Sequence, residues 1–313
     1  MITLAGFQIY GVPKGSVLGP VLFILYTKPL SALIQCHSIE SFADDTQFQV
    51  SVSPPNIQLA ISTLETCLAD IQTWMLENKL KLNKDRTEGL LMRPSSQSLS
   101  VSKPTTIPVC GCETSFPSSA RNLGFYITNH MSVELHMKNM CRSAYSELRR
   151  ISTFLHFLSV YSTNTLVPAF VLTRLKYCNS LLSGCPKHLL EKLKKVQNPA
   201  ARLVLKPHKR DHASTLLRTL HWLPIQARIE YKLSTLCQSF FSDTAPVYLP
   251  GLLHAYSPSR QLRSSSDTKT LRIPHVKTKT FGYRSFSYAA SSVWNSLPRG
   301  IRHIQSSTTF KQP

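Results

Sequence analysis

The spacing of hydrophobic positions changes character along the chain, and the changes mark its elements. Ser16 to Leu30 is almost continuously apolar and helix-compatible, with Ser16 placed to cap it and Pro20 in the first turn, where a missing amide donor is tolerated. Ser38–Phe42 and Thr46–Val52 instead alternate β-forming and polar residues. They predict the two strands of a hairpin, with Asp44 and Asp45 at its tip. Pro54-Pro55 closes that region. From Ile57 to Asn78 the period becomes helical: Ile57, Ile61, Leu64, Leu68, Ile71 and Met75 recur in steps of three and four. Such a stripe is a packing face, here expected against the sheet. Gly89–Met92 predicts a short buried strand. Residues 94–120, rich in Ser, Pro and Thr, predict a loop or loose hairpin, and Leu123–Ile127 another short strand.

Beyond residue 130 the pattern is helical. Val133, Met137, Met140, Ala144, Leu148, Ile151 and Leu155 share one face, with Lys138, Arg142 and Arg149 off it. A second helix is expected over Thr163–Leu182 and a third over Pro186–Leu205. The third turns Leu189, Leu193, Val196 and Ala200 inward and Lys187, Lys192, Lys194, Lys195 and Arg202 outward. Pro199 lies inside it and is expected to kink it, at a cost of about 3 kcal/mol. Residues 211–253 read as helical with breaks at Pro224 and Pro246. Residues 256–280 read as a mobile basic linker, and Phe281–Leu297 as a final helix whose aromatics dock on the helices before it.

Charge divides the chain at the same place as period. The 36 Lys and Arg against 16 Asp and Glu leave a net of +20. Residues 1–100 hold 7 basic and 8 acidic side chains, residues 101–313 hold 29 and 8. A near-neutral part beside a strongly basic one points to a polyanionic partner, with chemistry in the first and grip in the second. Length and a hydrophobic content of 42% suffice for a sizeable core, expected as two domains. Eight scattered cysteines form no disulfide framework, no secretory signal opens the chain, and Val21–Ile34 is too short and too broken by Lys28-Pro29 to span a bilayer. These features predict an intracellular protein with mostly free thiols and no membrane partner.

Asp44 and Asp45 are the candidate chemistry. Adjacent carboxylates resist joint ionisation unless a cation neutralises them. As hard oxygen ligands they suit Mg²⁺ completed by substrate phosphates. Gly11–Pro20 running into Val21–Tyr26, then Phe42-Ala43-Asp44-Asp45, then Trp74–Asn83 with Thr87-Glu88 resemble, in order and spacing, the palm motifs of LINE-type (non-LTR) retrotransposon reverse transcriptases. Leu123-Gly124-Phe125, Tyr177-Cys178-Asn179, Val196-Gln197-Asn198, His221-Trp222-Leu223-Pro224 and Trp294-Asn295-Ser296-Leu297-Pro298 resemble later segments of vertebrate elements of this kind.

The resemblance implies an α+β fold: part of a palm, with its Asp-Asp hairpin packed on helices, then a mostly helical thumb-like domain. It divides the chain into a partial palm at 1–128, a basic helical region at 129–255 and a loosely ordered basic tail at 256–313. It implies RNA-directed DNA polymerisation with two Mg²⁺ ions, Mn²⁺ substituting, on an RNA template, a DNA primer duplex and deoxynucleotides, in nucleus or cytoplasm. Asp44 and Asp45 would hold metal and carry catalysis. Gly15, Ser16, Pro20, Phe42 and Arg86 would contact template or nucleotide, Leu123-Gly124 the primer. Lys138, Arg142, Lys192, Lys195 and Arg202 would grip the nucleic-acid backbone.

Departures from the family pattern bear on activity. Lys14 stands where family members commonly have Gln. Arg86 takes the place of a lysine that protonates pyrophosphate, and a guanidinium with a pKa above about 12 is a poor acid. No acidic residue precedes Glu40, so a third, metal-bridging carboxylate and the fingers are missing upstream. The chain alone is therefore expected to be inactive, or to need the missing palm and fingers from another chain. The alternatives are a non-catalytic nucleic-acid-binding relic and a decayed fragment. Cys110-Gly111-Cys112 with His130 and His136 has the wrong cysteine spacing for zinc, and no zinc is expected.

Overall fold

A computed structural model describes residues 16–33, 39–42, 45–51, 56–83, 86–92, 106–109, 112–208, 211–257, 269–278, 281–304 and 310, with backbone alone at 31–33, 39–42, 107–109 and 112–114. The chain forms two compact units, Met1–Ala120 and Arg121–Pro313.

The first unit contains α1 (Gly19–Leu33), β1 (Ile39–Phe42), β2 (Asp45–Phe48), α2 (Ile57–Glu77), β3 (Thr106–Val109) and β4 (Cys112–Ser115). Helix α1 starts later than its apolar run suggests. The Ser16 carbonyl accepts the Gly19 amide at 3.2 Å, so Ser16 opens a turn ahead of the helix. Helix α2 matches the expected stripe and stops for a legible reason. Lys79 adopts φ +56°, its amide bonds to Leu76 O at 3.1 Å, and the Leu80 amide bonds to Met75 O at 2.7 Å. That pairing is a Schellman ending, with Leu80 supplying the apolar residue after the left-handed one. Two small clusters hold the unit: Leu30 and Ile71 with Phe48 and Trp74, and Ile61 with Ile57, Leu64, Leu68, Leu82 and Phe116. The Tyr26 hydroxyl donates to Asn78 O at 2.6 Å and ties α1 to the end of α2. The strand expected at Gly89–Met92 is not formed: among the described residues these four, the first three half-buried and Met92 exposed, pair with no other strand. The loose hairpin expected within 94–120 is β3 and β4, paired antiparallel, with Pro108 tolerated because a two-stranded sheet is all edge.

The second unit opens with β5 (Ser119–Asn122), which straddles the division, and its partner β6 (Phe125–Thr128). Leu123 and Gly124 join them with φ of +45° and +84°, the left-handed pair that a two-residue hairpin turn requires. Helices follow: α3 (Glu134–Thr153), α4 (Val160–Val167), α5 (Thr173–Lys176), α6 (Lys187–Leu205), α7 (Ala213–Thr219), α8 (Ile225–Phe241), α9 (Phe286–Ser296) and α10 (Arg299–Arg302). The predicted face of α3 is buried from Val133 to Ile151, and that of α6 from Leu189 to Val204. Both join one continuous core.

Several expectations are corrected here. The helix expected over Thr163–Leu182 starts at Val160, widens to a π turn at Pro168–Leu172 and ends at Lys176. Cys178 then turns the chain at φ +50°. Helix α6 runs unbroken through Pro199. The proline leaves Lys195 O without its usual amide donor, and the Tyr145 hydroxyl of α3 fills that place at 2.7 Å. The basic segment 256–280 is not wholly a linker. Leu271 is buried, bridges to Ala255, and is held by Asn295, whose Oδ1 accepts its amide at 2.9 Å and whose Nδ2 donates to its carbonyl at 2.7 Å. Trp294 is fully buried against Phe241, so the docking expected of the final aromatics occurs, inside the core.

Candidate functional site

Strands β1 and β2 pair antiparallel with Phe42 opposite Asp45 and Glu40 opposite Gln47. That register leaves Ala43 and Asp44 between the strands in sequence; both lie outside the described residues. Asp45 is exposed at the first position of β2, while Phe48, three residues on, packs with Leu30 and Ile71. The hairpin thus rests on the α1–α2 pair through Phe48 and keeps Asp45 in solvent. The carboxylate oxygens of Asp44 and Asp45 are the hard donors that suit Mg²⁺, but two neighbouring carboxylates leave most of an octahedron to water or substrate. Among the described residues no cluster of three or more His, Cys, Asp or Glu could hold a metal ion.

Of the residues expected to touch template or nucleotide, Gly15 lies outside the described residues, Ser16 precedes α1, and Pro20 is in its first turn. Arg86 is exposed, its amide bonded to Asn83 O at 3.1 Å. Within the first unit the structure therefore gathers α1, the hairpin and the end of α2, as the motif order requires.

The basic residues of the second unit fare differently from one another. Lys138, Arg142 and Lys195 are exposed, on α3 and α6. Lys192 pairs with Glu134 at 3.1 Å, both partners half in water, so the pair is weak. Arg202 donates to Asp211 O at 2.6 Å and to His208 O at 3.5 Å. Its guanidinium thereby fastens the loop ahead of α7.

The later sequence signatures prove to be fastenings. The Tyr177 hydroxyl donates to Leu123 O, with its ring against Gly124. His221, at φ +53°, ends α7 in a second Schellman turn, and Trp222 packs behind it. Leu223 O then accepts Gln197 Nε2 at 2.8 Å and Arg228 Nε at 2.6 Å, and Asn179 Nδ2 reaches Arg228 O at 3.4 Å. One buried polar node thus joins Asn179, α6 and α8, and burial lowers the Arg228 pKa. Trp294 Nε1 donates to Lys269 O at 2.8 Å. Arg228 and Tyr145 carry no motif of their own; proximity in space alone reveals them.

His136 is buried on α3, stacked on Phe125 at 4.0 Å, and neither ring nitrogen has a hydrogen-bond partner in the protein. Burial lowers its pKa. Cys110 and Gly111 of the cysteine pair lie outside the described residues. Cys141, Cys178, Cys185 and Cys237 are free, burial pushes Cys237 up to about 12, and Cys67 is disulfide-bonded. No helix among the described residues is long and apolar enough to cross a membrane.

Residues 6–127 match the family model of the reverse transcriptases (RNA-dependent DNA polymerase). The chain is also 26% identical over 157 residues to a probable RNA-directed DNA polymerase from transposon BS of Drosophila melanogaster. The match covers 47% of this chain and 16% of that relative, consistent with a non-LTR retrotransposon origin. No solved structure matches the chain.

Proposed function

We propose that the first unit is the motif-bearing part of a retrotransposon palm and the second a thumb-like nucleic-acid grip, serving RNA-directed DNA polymerisation. The observation that supports this reading is the Phe42–Asp45 register within residues 6–127, which leaves residues 43 and 44 between two paired strands whose Phe48 packs against Leu30 of α1 and Ile71 of α2. Asp44 and Asp45 would hold Mg²⁺, which when bound supplies charge neutralisation at the primer hydroxyl and the departing pyrophosphate. Gly15, Ser16, Pro20 and Phe42 would shape the template and nucleotide side, and Arg86 would neutralise phosphate charge without donating a proton.

Asp44 and Asp45 would be two of the acidic groups such a site uses. Helix α1 leaves Val21, Leu22, Ile24, Leu25 and Tyr26 exposed. An apolar surface of this extent marks an interface, and further palm and finger elements would cover it. A second reading, a nucleic-acid-binding relic without catalysis, is favoured by the basic second unit alone.

Primer extension on an RNA template, with Mg²⁺ or Mn²⁺, separates these readings. The chain alone should extend weakly or not at all, and extension restored by an upstream palm fragment should vanish in Asp44→Ala and Asp45→Ala. Extension that survives both substitutions would refute the site. Salt-sensitive duplex binding without extension under any complementation would leave the relic.

A further inference from the structure

One face of α3 carries a chemistry that packing does not explain. Lys138, Arg142, Tyr145, Arg149 and Ser152 follow one another at steps of four, three, four and three, so they form a single stripe along the helix. At 1.5 Å per residue the stripe is about 21 Å long. Helix α6 forms the opposite wall and runs in the same direction: Glu134 meets Lys192, Tyr145 meets Lys195 O, and Ser152 lies across from Leu203. Between them is a groove of about 430 Å³ lined by Tyr145, Leu148, Arg149, Ser152, Pro199 and Leu203. Its lining is mainly apolar. Its edges carry the exposed cations Lys138, Arg142, Arg149 and Lys195, none in an ion pair among the described residues.

Where α3 ends, Phe154, Phe157 and Tyr161 stand 59%, 78% and 83% exposed. The backbone holds them there. Phe157 N–H bonds to Phe154 O at 3.0 Å, Leu158 N–H to Leu155 O at 3.3 Å, and the Ser159 hydroxyl caps α4. Between Glu147 and Glu191 the sequence has no acidic residue. Exposed rings beside the cations of α3, on a stretch without acidic residues, favour a polyanion over an apolar protein surface. A duplex would offer phosphates to the cations but would leave the apolar slot and the rings unused. An unpaired strand offers phosphates and base faces together.

We propose that the α3–α6 groove and the aromatic tip beyond it bind single-stranded nucleic acid. Phosphates run along the Lys138–Arg142–Arg149 edge, and bases stack on Tyr145 and on the rings of Phe154 and Phe157. The proposal rests on the reading of the second unit as a nucleic-acid grip and adds which form of nucleic acid this face takes.

The test is fluorescence anisotropy of the full chain with short oligouridylate and oligothymidylate, against a blunt duplex of equal length. Single strands should bind more tightly than the duplex. Phe154→Ala and Phe157→Ala should each weaken them about tenfold, within the range for loss of one base–aromatic stack, with the salt dependence unchanged. Arg142→Gln and Arg149→Gln should flatten the logarithmic salt slope by about 0.7 for each phosphate no longer neutralised. The two phenylalanines lie outside the core, and matching thermal melts will verify that their variants fold. Equal affinity for duplex and single strand, unaffected by ring removal, overturns the proposal and leaves the backbone grip standing. Binding to no nucleic acid overturns both. Self-association abolished by the ring variants, with single-strand binding intact, overturns the tip's role and makes it an interface between copies.

Discussion

The two units use similar amounts of local pattern and very different amounts of packing. In the first, Leu30, Ile61 and Ile71 are the buried hydrophobics among the described residues, while α1 displays five large apolar side chains between Val21 and Tyr26. In the second, α6 alone buries Leu189, Leu190, Leu193, Val196, Ala200, Ala201 and Val204, within a core that reaches from Phe125 to Phe310. The unit that carries the acidic hairpin is thus the one with least tertiary support, and the unit almost wholly beyond the reverse transcriptase match is the self-sufficient one. Periodicity and turn chemistry shape helices and hairpins in both. Only the second closes a core, because its stripes find facing stripes.

Core truncations sharpen this contrast most. Trp294→Ala removes a fully buried ring, its stack on Phe241 and its bond to Lys269 O. It should cost the second unit about 3–5 kcal/mol in chemical denaturation. Ile61→Ala, in the smaller cluster of the first unit, should cost less than about 2 kcal/mol, below the usual range because its surroundings can collapse. Equal losses in the two would erase the difference. Asn295→Ala strips both partners from the Leu271 backbone and should cost about 1–3 kcal/mol, with protease sensitivity rising around Leu271.

Acidity probes the second unit through His136. Its folded-state pKa lies below the ordinary 6.5, so it stays neutral in the fold while the unfolded chain takes up a proton. Its stabilising share is whole above about pH 6.5 and is lost as pH falls below that, by at most about 1.4 kcal/mol per pH unit. Denaturation midpoints measured from pH 7 to 5 should fall, less steeply in His136→Leu; identical slopes would remove His136 from the account. The smallest effect concerns α6. Tyr145→Phe should cost about 1 kcal/mol by orphaning Lys195 O, and the loss should shrink in Pro199→Ala, where residue 199 regains an amide to fill that place. A double-mutant cycle with no coupling would mean that the hydroxyl does not compensate for the proline.

The contrast also shows what a sequence can yield. The α2 and α6 stripes, the acidic hairpin and the docking of the final aromatics were legible because period-two and period-3.6 patterns report which side of an element meets other chain. The strand expected at Gly89–Met92 failed because a strand exists only with a neighbour to pair with, and composition does not name one. At Pro199 the lost amide donor is replaced by the Tyr145 hydroxyl, which reaches Lys195 O from fifty residues away in sequence, a remedy no local pattern could show. The partners of Arg202, His208 O and Asp211 O, are likewise loop carbonyls that sequence cannot locate.

By itself the sequence determined the hairpin between residues 39 and 48, the basic character of the second half and the inward faces of its main helices, all consequences of local geometry and side-chain chemistry; Asp45, expected at the hairpin tip, instead opens β2 opposite Phe42. The tertiary structure alone decided that the signatures at Asn179, Gln197 and Leu223 converge with Arg228 on one buried node. It alone set Tyr145, Pro199 and a row of cations along a single groove. Both depend on which surfaces meet, and that is fixed by the packing of distant segments against one another.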